Sequence, residues 1–168
     1  VDAFNDSRIR LIRFEKNGGN PFGINHAIRE ATGEYVGLLA ADEVIIPDKL
    51  EVQVEYMDSH KGVDCIWGLP GKFDKGTGLR PLWEQSMLRA HNRSNEAWLK
   101  TLLNLENVPI GGASLLMKMS VMRDCGYLDE KCRIFGEHSL FCNFFDKGYT
   151  GVVLPYRWAD ENEANAST

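Results

Sequence analysis

The sequence predicts an α/β domain built on a mostly parallel sheet with helices on both faces. Three observations carry that prediction. Apolar runs of strand length recur at 35–40, 63–67, 113–117 and 150–154, and segments with helical patterning separate them. Turn chemistry marks the boundaries, at Asn17-Gly18-Gly19-Asn20-Pro21, Thr32-Gly33, Gly126 and Gly148. Finally, the run at 35–40 ends abruptly in two adjacent carboxylates, Asp42 and Glu43, before Pro47 opens a helix. Open α/β sheets place their ligands at such a strand end.

Taken in order, residues 8–14 (RIRLIRF) alternate charged and apolar side chains, the period of a half-buried strand. A helix is expected from about Phe22 to Ala31, then a buried strand from Tyr35 to Ala40. Pro47 suits a helical first turn, and Leu50, Val54 and Met57 then fall on one face. Val63 to Trp67 reads as the next strand. The glycine-rich stretch 71–78 is a loop and not a phosphate-binding P-loop, because no Gly-Lys-Ser/Thr opens a helix there. A helix is expected over 83–105, with Trp98 and Leu102 on its apolar face. Ile110-Gly111-Gly112 turns into a strand at Ala113 to Met117, and a short helix runs from Ser120 to Cys125. The helix from Glu137 to Asp146 is closed by Gly148, and Thr150 to Leu154 is the last strand.

The chain has 168 residues, enough for one domain with a real core. We take 1–159 as that domain and 160–168 as a loose polar tail. A net charge of −5 leaves no basic stripe for nucleic acid. No apolar run approaches the roughly 20 residues of a membrane span. The four cysteines are too few and too irregular for a disulfide scaffold and read as reduced thiols of a cytoplasmic protein. Cys125, Cys132, His138 and Cys142 could supply zinc ligands, but they lack the close Cys-x-x-Cys pair of structural sites.

Paired carboxylates repel one another unless a cation or a proton compensates. Asp42 and Glu43 therefore point to a hard divalent ion, Mg2+ or Mn2+, carrying phosphate oxygens. The competing reading is acids placed favourably before a helix N-terminus.

In order along the chain, Arg8-Ile9-Arg10, Asn17-Gly18-Gly19, Asn25, residues 31–35 (ATGEY), Asp42-Glu43 with Pro47, Lys49 and Leu50, residues 111–114 (GGAS), residues 126–130 (GYLDE) and Gly148-Tyr149 resemble family 2 of the glycosyltransferases, enzymes of the GT-A fold. The resemblance implies a metal-dependent, inverting transfer of sugar from a nucleotide-sugar donor to a saccharide, lipid-linked or other hydroxyl acceptor. It sets Asp42 at the metal-binding aspartate with Glu43 beside it, and Glu137 at the catalytic base. It also implies donor contacts from Asn25, Asp42, Gly111, Gly112 and Arg157.

Three departures stand against it. Ala40 replaces the first aspartate of the acidic motif, and Gly136 replaces the acid that usually precedes the base. The family's first strand, helix and second strand have no counterpart before Val1, so the chain is either a piece of a longer domain or a domain with a reduced nucleotide pocket. A non-catalytic glycosyltransferase-like binding or assembly module is the alternative function. Attachment to the inner membrane face and self-association both stay open. Asn25 is equally a buried hydrogen-bond clip, Arg157 a surface arginine, and Trp83, Trp98 and Tyr127 core aromatics rather than a sugar-stacking platform.

Overall fold

A computed structural model describes residues 6–41, 43–45, 47–69, 93–104, 112–132, 136–157 and 159–161, with the backbone alone at Val44, Leu69, 155–157 and 159–161. Helix α1, Asn20–Glu30, starts where the turn chemistry places it. Gly19 takes φ 91°, a conformation other residues rarely adopt, and its amide donates to Asn17 Oδ1 at 2.8 Å. Pro21 sits in the first turn, where no N–H is missed. Helix α2 is Lys49–Ser59, α3 is Asn95–Leu103 with Ser94 as its N-cap, α4 is Met119–Asp124 and α5 is Gly136–Asp146.

The strands are β1 (Tyr35–Val36), β2 (Glu43–Ile45), β3 (Cys65–Leu69), β4 (Leu116–Lys118), β5 (Gly151–Arg157) and β6 (Ala159–Glu161). Four of them form a sheet in the order β1-β4-β3-β5. β4 runs antiparallel to both β1 and β3, while β3 and β5 are parallel. Three strands therefore share one direction, with β4 reversed between two of them. Asp64, just before β3, ties that strand to its two neighbours β4 and β5: it accepts from Lys118 Nζ at 2.9 Å and from the Thr150 amide at 3.0 Å.

Alternation along the strands divides the core between two faces. Val36, Cys65, Trp67, Met117 and Val153 point to one face, packing with Ile28 of α1, Trp98 and Leu102 of α3, and Leu140 to Phe145 of α5. Ile66, Leu116 and Leu154 point to the other, against Met57 of α2. The helices thus cover both faces. Trp98 stacks on Phe145 with ring centroids 5.4 Å apart, so it belongs to the core and not to a sugar platform. Gly151 lies opposite Cys65, and a Cβ there would come within 2.1 Å of the Trp67 ring.

Several expectations differ from the structure. Residues 8–14 form no strand: their backbone is irregular, and Ile9, Leu11 and Phe14 stand 41–48% exposed. Alternation supplies a strand's two faces but not its partner, and no described strand lies alongside. The strand expected at 35–40 stops at Val36; β4 begins at Leu116 after a 3-10 turn at Gly112–Ser114, so 38–40 have no strand residue opposite them. On α2 the fully buried stripe is Lys49, Gln53 and Met57, with Leu50 exposed. The expected tail is paired as far as Glu161, since β6 joins β2 in a second, antiparallel sheet with Glu43 opposite Glu161. The expected helix is observed over Asn95–Leu103; 83–92, and with them Trp83 and the loop at 71–78, lie outside the described residues.

Candidate active site

The segment released from the sheet after Val36 crosses the mouth of a cavity of about 460 Å3. One wall is the inner side of α1, with Ile24, Ala27 and Ile28. A second is the irregular stretch 37–40 with Glu43. The third is Gly112 and Ala113 of the 3-10 turn, and Glu137 of α5 enters beside them. The cavity brings together residues from opposite ends of the chain.

Glu43 is held in place by its own turn. Its Oε2 accepts from the Ala40 amide at 2.9 Å, and its amide donates to the Ala40 carbonyl at 3.2 Å. Asp42 lies outside the described residues, as does Gly111.

Glu137 is half-buried in the first turn of α5. Burial raises its proton affinity above that of an ordinary glutamate, and the Glu43 charge pushes the same way against an opposing hydrogen bond from its own backbone. Gly136 explains how α5 comes so close to α1. A Cβ there would lie 2.6 Å from Pro21 Cγ and 3.2 Å from the Asp129 carbonyl, so the acid usual at this position has no room. Gly112 differs, because a Cβ would meet Leu38 only at 3.9 Å. Among the described residues no close contact requires a glycine there.

Of the remaining donor expectations, the structure describes the side chain of Asn25 and not that of Arg157. Asn25 is buried and its amide is spent within the protein: Nδ2 donates to the Leu128 carbonyl and to Glu130 Oε1, both at 2.9 Å, and Oδ1 accepts from the Leu128 amide at 3.0 Å. It is the buried clip, fixing the 127–130 loop to α1. Arg157 ends β5 opposite Leu69, and its side chain lies outside the described residues.

The donor set facing the cavity is carboxylate oxygen, which suits a hard divalent ion. Among the described residues no three His, Cys, Asp or Glu side chains converge on a metal-sized site. All four cysteines are free thiols. Sequence reasoning named Lys49 only as part of the motif after Asp42-Glu43, and missed Gln53, which with Lys49 backs the 3-10 turn from α2, and the apolar wall of α1. Their spacing with Met57 was the available signal for the first two.

Comparison with known proteins agrees with this arrangement. The chain is 36% identical over 62 residues to a glycosyltransferase of Methanocaldococcus jannaschii, an alignment covering 37% of this chain and 21% of that protein. It is 24% identical over 167 residues to EpsE of Bacillus subtilis, assigned only provisionally as a glycosyltransferase, covering 96% of this chain and 56% of EpsE. The chain thus spans about half or less of the length of these relatives. Among solved structures, S. aureus TarS 1-349 in complex with UDP-GlcNAc superposes with a TM-score of 0.66 at 18% identity, covering 95% of this chain and 44% of that one. This shows the GT-A fold. No helix among the described residues is long and apolar enough to cross a membrane. The family model described as Glycosyl transferase family 2 matches residues 1–123, nearly three quarters of the chain, and the chain belongs to that family.

Proposed function

We propose that the chain carries the catalytic centre of a metal-dependent, inverting glycosyltransferase that moves a sugar from a nucleoside diphosphate donor to a hydroxyl of a saccharide or lipid-linked acceptor. The observation that carries this reading is the meeting of Glu43 and Glu137 on one cavity beside the Gly112–Ser114 turn. TarS, solved with UDP-GlcNAc, supports a uridine diphosphate sugar as the donor class.

The geometry supports the following roles. Glu137 takes the proton from the acceptor hydroxyl, and its raised proton affinity makes it a stronger base than an exposed carboxylate. Gly112 admits the donor close to the backbone. The apolar wall of α1 excludes water from the reacting centre. Asp42 and Glu43 would hold Mg2+ or Mn2+ together with diphosphate oxygens, and the bound ion supplies positive charge to offset the departing diphosphate. Free thiols favour the cytoplasm, with contact at the membrane face where the acceptor is lipid-linked.

The rival reading, a binding module without turnover, draws on Gly136, where the protein leaves no space for a second acid. Isothermal titration of UDP with and without Mn2+ decides between them. Manganese-dependent binding, weakened by Asp42→Asn, supports the transferase. Binding that ignores manganese, or none, overturns it.

A further inference from the structure

Helix α2 breaks the rule that a helix turns an apolar stripe inward. Two of the three residues on its buried stripe are polar, Lys49 at 3% exposure and Gln53 at 0%. Burying such groups is costly unless their donors are used. Both are used on one target. Lys49 Nζ donates to the carbonyl of Ala113, and Gln53 Nε2 donates to the carbonyl of Ser114 at 2.9 Å. These are consecutive residues of the Gly112–Ser114 turn, whose Gly112 and Ala113 form one wall of the cavity.

We propose that Lys49 and Gln53 are positioning residues for the donor side of the cavity, a pair of buried donors that lock the Gly112–Ser114 turn at the height where its backbone meets the ligand. Two further observations support a role beyond packing. Gln53 Oε1 finds no donor among the described residues, a cost that an apolar residue of similar size would avoid. Burial weakens the hold of Lys49 on its proton, and the Glu43 charge opposes that loss. The identity of the ligand rests on the glycosyltransferase reading; the clamp does not.

The test places Lys49→Met and, separately, Gln53→Leu in the full chain and reads two quantities. Without any ligand, hydrogen exchange of peptides spanning 112–115 should quicken about tenfold or more in either variant while α5 keeps its protection. The Leu115 amide, bonded to the Gly112 carbonyl at 3.1 Å, reports the turn directly. With Mn2+ present, the Kd for UDP should rise about tenfold or more. Unchanged exchange in the folded variants overturns the clamp. Faster exchange with unchanged UDP affinity overturns its positioning role. A wild-type chain that does not bind UDP overturns the donor reading, and the exchange measurement still decides the clamp. If Lys49→Met fails to fold, Gln53→Leu carries both measurements.

Discussion

Glu43 and Glu137 face one cavity, and the charge of the first strengthens the hold of the second on its proton. β2 and α5 are far apart in the chain, so this coupling exists only in the folded state. Burial is the larger cause of the raised proton affinity of Glu137, and the Glu43 charge adds to it.

Glu137→Gln should leave UDP affinity unchanged and lower kcat about a hundredfold to ten-thousandfold, the usual worth of a positioned base. Steady-state kinetics with a sugar nucleotide and separate titration of UDP check both halves. Intact turnover would remove Glu137 from the mechanism.

The same substitution should stabilise the metal-free chain at neutral pH. Because the folded-state proton affinity of Glu137 is raised, its contribution is fully present below the unfolded value of about 4.3 and is lost as pH rises through the folded value. Glutamine has no such loss. Thermal melts should show Tm higher by about 1–3 °C at pH 7, with no gain below about pH 4. Glu43→Gln should lower the Glu137 titration midpoint followed by carboxyl NMR, yet leave it above that of an ordinary glutamate, since burial is the larger cause.

Asn25→Ala should act on stability and not on the ligand. It would strip the Leu128 amide and carbonyl of their side-chain partner in a buried place, at a cost of about 2–3 kcal/mol. Urea unfolding reads the loss. Weaker UDP binding in the folded variant would instead return Asn25 to the donor site.

Gly136→Asp restores the acid usual in the family but should not raise activity. The new side chain would collide with Pro21 and the Asp129 carbonyl and cost about 1–3 kcal/mol as α5 moves away from α1. Denaturant midpoints and kcat measured together check this. A folded variant with higher turnover would show that the acid fits after all.

Much of this was legible from the residues. Helix α1 carries its own start at Gly19 and α5 its own stop at Gly148, and their apolar spacing needs no partner to be read. Glu43 and Glu137 were legible through motif order. What stayed hidden depends on distant segments. Nothing near residue 36 announces that its ladder ends there, because β4 and the turn at Gly112–Ser114 before it lie far along the chain. The buried stripe of α2 could not be phased by hydropathy, since the carbonyls that draw Lys49 and Gln53 inward lie in another part of the chain. Residues 8–14 show the reverse failure, a strong local alternation with no described neighbour to pair with.

The missing side chain at 151 acts as a notch for the Trp67 indole. A slide of β5 by one residue would bring Thr150 or Val152 under that ring, so the alignment of this parallel ladder is chosen by exclusion and not by attraction. β6 follows β5 after a single residue and takes its place opposite Glu43 from that choice. The Trp67 indole, on the same face of the sheet as the cavity, therefore fixes the start of the strand whose continuation lies opposite Glu43.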